Sequence, residues 1–478
     1  MEERTQIAFL FLFSLFFAFL SIPLISSHSF EFQTHSLLLH SLPHPLTLSW
    51  PESEFTETDP ETSTTLSLHH IDALSFNKTP QQLFNLRLQR DTSRVKTFTS
   101  LLSSSQNQTR PEVSRSGSST SSSVISGFPL GSGEYFTRIG VGTPPRYVYM
   151  ILDTGSDVLW LQCAPCQNCY SQTDPVFDPK KSTSYAGIPC SSPLCRRLDS
   201  PGCNRKKICQ YEVSYGDGSF TVGDFSTETL TFQRTGVPGV ALGCGHDNEG
   251  LFNGSAGLFG LGRGGFSFPI QTMNRFNKKF SYCFVDRFVS TKPSSVNFGV
   301  KSVPRTALFT PLIQNPNLHS FYYVELLGIS VGGAPVRGVS ASMFRLDKTG
   351  NGGVIIDSGT SVTRLTSSAY VALRNAFRVG TGYLKRAPEF ELFDTCYNLA
   401  GFRELKVPTV VFHFRGADMA LPPGNLLIPV DSNNRTFCFA FAGTANGLSI
   451  IGNIQQQGFQ VVYDLAGSRV GFAPQGCA

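Results

Sequence analysis

Two distant stretches of this chain share one pattern. In Tyr147–Trp160, YVYMILDTGSDVLW, an apolar run of strand formers ends on Asp153 and continues as Thr154, Gly155 and Ser156. In Gly352–Leu365, GGVIIDSGTSVTRL, a second apolar run ends on Asp357, followed by Ser358, Gly359 and Thr360. One Asp-hydroxyl-Gly triplet by itself reads as a turn, because Asp, Ser and Gly all favour turn geometry. Here each copy also has an apolar-Gly element behind it at a comparable separation: AGLFGLG with Leu258, and LSIIGN with Ile450. Two unrelated turns need not share all of this. Two related lobes that each bring one acid to a common seam do.

The rest of the chain fits that division. Its 478 residues are too many for one small domain and suit two lobes with extensions. Strand formers interrupted by 44 Gly and 29 Pro, with 41 Phe, indicate a mainly β protein. The halves are expected at 124–315 and 316–478, with FYYVELLGISVGG from Phe321 opening the second as an alternating strand.

The first quarter differs from this body. Ile7–Ile25 is an apolar run followed by Ser26 and Ser27, which predicts a secretory signal peptide over residues 1–27, with an uncleaved membrane anchor as the alternative for a run of this length. Residues 28–123 hold no Cys and six of the nine His. Within them QQLFNLRLQRDTSRVKTFTSLL is basic, with Leu83, Phe84, Leu86, Leu88, Val95, Phe98 and Leu101 at helical spacing. The stretch SRSGSSTSSSVISG that follows is a flexible linker by composition. The order implies a pro-segment, a cleavable linker and a folded body, with a disordered N-terminal extension as the alternative. An anionic cleft would attract Arg87, Arg90, Arg94 and Lys96, and acid would weaken that docking by protonating carboxylates.

All 12 Cys lie in the body: Cys163, Cys166, Cys169, Cys190, Cys195, Cys203, Cys209, Cys244, Cys283, Cys396, Cys438 and Cys477. An even number behind a secretion signal predicts disulfides, and the dense stretch 163–209 should be stapled to itself. Sequons at Asn77, Asn107, Asn253 and Asn434 fit glycosylation of a secreted surface. The body is basic, yet no cationic stripe interleaved with aromatics points to nucleic acid. GLGRGG at Gly260–Gly265, with Asp286 downstream, has the spacing of a dinucleotide loop but no βαβ setting. CAPCQNC lacks a fourth ligand at cluster spacing, so neither a metal nor a cofactor is expected. His246, His319 and His413 stand in no Ser/His/Asp arrangement and read as structural or surface groups.

Taken together, these motifs resemble the pepsin-type aspartic proteases over about residues 130–478. Asp153-Thr154-Gly155-Ser156 and Asp357-Ser358-Gly359-Thr360 match that family's catalytic triplets, and Trp160 its following Trp. SYGDGSFTVG matches the flap, with Tyr215 at the flap tyrosine, and FQVVYDLAGSRVGFAP the C-terminal strands. The Cys-rich insertion and GSGEYFTRIGVGTPPR are similar to the plant nepenthesin-like subfamily, nearest the guard-cell aspartic proteases. The resemblance implies a bilobal β fold and an endopeptidase acting on polypeptides in acid. It also implies bracing of Thr154 against Ser358, and the disulfide Cys396–Cys438, which leaves Cys283 for Cys477. Ser156 and Thr360 are expected to hydrogen-bond the outer carboxyl oxygens, with Gly155 and Gly359 leaving N–H groups free for the acids. Some plant relatives of this architecture are catalytically inactive inhibitors of cell-wall glycosidases, which supplies the alternative of a catalytically weak or inactive pepsin-fold binding or inhibitor protein of the plant cell wall. Both Asp, both Gly and Tyr215 favour the enzyme. The expected setting is the secretory pathway, chiefly the apoplast, with endoplasmic reticulum or vacuole as other destinations. The mature protein is expected as a monomer free of membrane, its partners being substrate and its own pro-segment.

Overall fold

A computed structural model describes residues 32–43, 62–75, 77–106, 134–215, 219–233, 235–250, 252, 254–287, 290, 293–433, 435–445, 447–474 and 477. The expected signal peptide, the linker, and Asn107, Asn253 and Asn434 lie outside them. Asn77 is described and exposed.

The body is mainly β, in two lobes built on one plan. In the first, strand β3 (Tyr135–Val141) runs antiparallel to β4 (Arg146–Asp153), and β4 carries Asp153 at its last position. Every residue of β4 from Val148 on is buried, which is why its sequence is apolar throughout rather than alternating. The strand Gly257–Gly260 lies parallel to β4 and pairs Leu258 with Ile151. It also meets β5 (Trp160–Gln162), where Leu258 faces Trp160. The second lobe repeats this. Strand Val354–Ile356 leads to Asp357, strand Ser449–Ile451 runs parallel to it with Ile450 opposite Ile355, and Ile450 also faces Arg364. The two apolar-Gly elements are thus the strands that thread behind the two acid loops. Strands Lys279–Cys283, Ser294–Gly299, Phe459–Asp464 and Arg469–Pro474 join the lobes in one continuous sheet.

The N-terminal segment is part of this architecture. Strand β1 (Thr34–Leu38) pairs antiparallel with strand Glu404–Pro408 of the second lobe in a two-stranded sheet. Strand β2 (Ser63–His70) pairs with Ser294–Gly299 and touches β3 at His69 and His70. Helix α1 (Pro80–Gln106) follows. Its start is set by sequence: Thr79 and Gln82 exchange backbone–side-chain hydrogen bonds at 2.9 and 3.3 Å, and Pro80 holds the first helical position, where no N–H is needed. Leu83, Phe84, Arg87, Leu88, Arg90, Asp91, Arg94, Thr97 and Phe98 are buried on one helical face. That face mixes apolar contacts with charge. Phe98 packs edge-on against Phe321. Lys96, expected to dock with the arginines, is exposed instead. Two residues past Arg94 on a helix, it points to the opposite side.

All 12 Cys are paired. Cys396–Cys438 and Cys283–Cys477 form as the resemblance implied. Within the insertion, Cys166–Cys169, Cys190–Cys203 and Cys195–Cys209 are local staples. Cys163 departs from the expectation of a self-contained insertion and bonds Cys244. The stretch 163–209 holds an odd number of Cys, so one had to leave it, and Cys163 lies beside the strand carrying Cys244 because β5 pairs with that strand.

Candidate active site

Asp153 and Asp357 end their strands at the seam between the lobes, and both are fully buried. The loops that follow them are tied together. Ser358 N donates to Thr154 Oγ1 at 2.9 Å, and Thr154 N donates to Ser358 Oγ at 3.2 Å. Ser358 therefore keeps the bracing hydroxyl. Gly155 N donates to Asp153 Oδ1 at 2.9 Å, and Gly359 N to Asp357 Oδ1 at 3.4 Å. Thr360 donates to Asp357 Oδ2 twice, from N at 2.9 Å and from Oγ1 at 2.5 Å. The equivalent bond expected from Ser156 is absent: its hydroxyl is buried and has no hydrogen-bond partner among the described residues. The donors at Asp153, Gly155 N and Arg94, both go to Oδ1, leaving the buried Oδ2 without a described partner.

The cleft is filled by α1. Arg94 Nη2 donates to Asp153 Oδ1 and to Asp357 Oδ1, each at 2.6 Å, and Arg94 Nε donates to Asp357 Oδ2 at 2.7 Å. One guanidinium thus bridges both acids in the planar fork geometry that suits carboxylates. Gly359 makes room for it, since a Cβ there would lie 2.3 Å from Arg94 Cζ. Burial alone would lower the Arg94 value, but Asp153 and Asp357 outweigh it and raise it above the ordinary range. Asp153 is pushed up, by burial first and by Asp357, against the pull of Arg94.

Further contacts of α1 extend along the seam. Arg87 donates to Ser361 Oγ at 3.1 Å and Asn453 Oδ1 at 2.7 Å. Asn453 in turn donates to Ser358 O at 3.0 Å. Asp91 accepts from Ser361 N, Val362 N and Arg364. A buried ionic cluster lies at the start of β3. Glu134 meets Arg87 at 2.9 Å, Arg90 at 3.2 Å and His70 at 2.8 Å, while Asp72 meets Arg287 at 2.8 Å and His70 at 3.1 Å. Burial would raise both carboxyls. For Glu134, Arg90, Arg87 and His70 reverse this, and for Asp72, His70 and Arg287 do, so both sit well below the usual range.

Tyr215 stands at the turn end of the hairpin formed by Cys209–Ser214 and Phe220–Phe232, where its N donates to Ser219 O at 2.7 Å, and it is buried. Trp160 Nε1 donates to its hydroxyl at 2.5 Å, and Trp160 stacks edge-on against Phe252. The remaining candidates have structural settings. The GLGRGG loop wraps Asp157: Gly264 N donates to Asp157 Oδ1 at 2.7 Å, and a Cβ at Gly262 or Gly264 would strike that carboxyl. His246 pairs with Asp224 at 3.6 Å, His413 with Asp418 at 2.9 Å, and His319 is exposed.

Residues 135–300 match the family described as xylanase inhibitor N-terminal, and 321–474 that described as xylanase inhibitor C-terminal. The chain is 65% identical to "Aspartyl protease family protein 2" of Arabidopsis thaliana, over 98% of each chain. The chain belongs to the plant aspartic proteases. It is an aspartic-type endopeptidase, and its nepenthesin-like character holds. "Protein ASPARTIC PROTEASE IN GUARD CELL 2" of Arabidopsis thaliana is 46% identical over 91% of this chain and 93% of its own. "Aspartic proteinase nepenthesin-1" of Nepenthes gracilis is 38% identical over 86% and 90%. Among solved structures, basic 7S globulin from soybean shares the bilobal fold with TM-score 0.55 at 21% identity, covering 71% of this chain and 92% of its own.

The sequence reading of this aspartic protease missed Asp91, Glu134, Asn453 and Arg364. For Asp91 a signal was present: Arg87, Arg90, Asp91 and Arg94 stand at i, i+3, i+4 and i+7, one helical face.

Proposed function

We propose that this protein is a secreted endopeptidase acting in acid, made as a precursor whose residues 28–123 block its own cleft. The observation that carries the reading is the Arg94 guanidinium bonded to Asp153 and Asp357 together. A binding protein with an idle cleft would have no use for such a plug. Once α1 leaves, the two carboxyls share a proton, because like charges this close in a buried seam do not both ionise. The ionised carboxylate takes a proton from a bound water as that water attacks the peptide carbonyl carbon. The protonated carboxyl donates to the carbonyl oxygen. The tetrahedral diol then collapses, the leaving nitrogen gaining a proton, with no covalent enzyme intermediate. Tyr215 and its hairpin close over the substrate and exclude water.

Acid releases the segment through Glu134 and Asp72. Both have lowered values when docked, so their stabilisation is complete above about pH 4.5, the ordinary carboxylate value, and fades as pH falls below it. The linker between Ser114 and Gly127 is then cut. The signal peptide 1–27 directs the chain into the secretory pathway and is removed there, and six disulfides suit that oxidising route. The mature enzyme is a glycosylated monomer of the apoplast that takes polypeptide substrates. The test is purified precursor, with Asp153→Asn and Asp357→Asn variants, shifted from neutral to acid pH and followed by peptide hydrolysis and N-terminal sequencing. The parent should gain activity and a new start between Ser114 and Gly127. Each variant should lose about 10²–10⁴-fold in turnover. An Asp357→Asn enzyme with most of the parent's turnover would sink the shared-dyad mechanism.

A further inference from the structure

Resting on the precursor reading above, we infer that the mature enzyme carries a carboxylate-binding subsite built from Arg364 and the N–H groups of Ser361 and Val362, and that it selects substrates with an Asp or Glu side chain near the cleaved bond. In the precursor, Asp91 occupies this pocket. Its Oδ1 accepts from Ser361 N at 2.7 Å and Val362 N at 2.9 Å, and its Oδ2 from Arg364 Nη2. Asp91 is buried, and the Arg364 side chain is only 9% exposed.

The pocket belongs to the body. All three donors come from the segment immediately after the Asp357 loop, whereas the carboxylate comes from the N-terminal segment. Among the described residues, Arg364 has no carboxylate partner from the body. Its Nε is buried and has no hydrogen-bond partner among the described residues. Departure of α1 therefore opens to the cleft a guanidinium and two converging N–H groups that have lost their anion, a fork placed to take another carboxylate.

Lobe symmetry locates this group. Arg364 faces Ile450 in the second lobe as Trp160 faces Leu258 in the first. Trp160 uses its position to hold Tyr215 over the cleft. Arg364 uses the equivalent position to present a cation. Asp91 lies three residues from Arg94 on α1, so the pocket is roughly 5–6 Å along the seam from the group between the catalytic acids. A substrate strand advances about 3.3 Å per residue, which puts the acidic side chain about two residues from the scissile bond.

The test starts from full-length protein converted by acid, assayed at about pH 5, where a peptide glutamate is mostly ionised. Peptide pairs differing only by Glu or Gln are scanned at each position on both sides of the cleaved bond. At one position kcat/KM should favour Glu by about 10-fold or more, the worth of a charge-assisted bond. Arg364→Gln should bring that ratio close to one, and Arg364→Lys, which keeps the charge but loses the fork, should leave an intermediate ratio. A ratio near one at every position, or a Glu preference that survives Arg364→Gln, overturns the subsite and leaves Arg364 as a latch for the precursor alone. Calorimetric titration of the same acid-treated protein with the Glu and Gln peptides separates this from the catalytic reading. Glu-selective binding without hydrolysis would keep the subsite and sink the peptidase mechanism, whereas hydrolysis without selectivity would do the reverse.

Discussion

Arg94 and Gly359 fit each other: the guanidinium occupies the space a side chain at Gly359 would fill. Asp157, two residues beyond the Asp-Thr-Gly triplet, has a different relation to its neighbours. Burial raises its carboxyl to about 6, against the bonds from Ser320 and Gly264. A carboxyl raised on folding binds its proton more tightly folded than unfolded, so stability increases as pH falls through about 6 toward the unfolded value. Asp157→Asn in an Asp153→Asn background, which prevents self-cleavage, should therefore be more stable than its parent near pH 7.5 by about 1–3 kcal/mol. That advantage should shrink near pH 4.5, as thermal melts at both pH values would show. Equal differences at the two pH values would mean that Asp157 is not the titrating group.

At the scale of elements, α1 is held by complementary charge as much as by apolar packing. Glu134→Gln takes the carboxylate from Arg87 and leaves Arg90 only Asp72, 3.7 Å away, and loss of one partner from such a buried cluster should weaken docking by about 3 kcal/mol. Conversion should then begin at a higher pH than in the parent, as gel mobility across a pH series would record. An unchanged midpoint would remove Glu134 from the account. The insertion is held covalently. Cys190–Cys203 closes a loop with a sequence separation of 13, and its removal by paired Ser substitutions should cost about 3 kcal/mol. Hydrogen exchange should show the loss confined to residues 163–209. Much of this was legible beforehand. The apolar run ending on an acid, twice, is local chemistry with a fixed period, and so is the amphipathic start of α1. What stayed hidden depends on contacts made in three dimensions. Cys163 leaves its own cluster because β5 lies beside the strand of Cys244. Ser156 makes no bond to Asp153, whose described donors both go to the other carboxyl oxygen. The Asp91–Arg364 contact joins residues too far apart in sequence for either to announce the other.

As a whole, the molecule is two copies of one strand-and-loop unit meeting at their acids, with an N-terminal segment woven through the shared sheet by β2 and across the seam by α1. In the proposed precursor one residue of that segment, Arg94, holds both catalytic acids idle. The most direct measurement is the initial rate of peptide hydrolysis by intact precursor at about pH 5.5, above the window in which Glu134 and Asp72 release the segment. The parent should be silent with its N-terminus uncut. Arg94→Gln should hydrolyse peptide at once, also uncut, and adding Asp153→Asn should abolish that activity. A parent precursor that is fully active with residues 28–120 still attached would contradict the claim, as would an Arg94→Gln precursor that stays silent while the acid-converted parent is active.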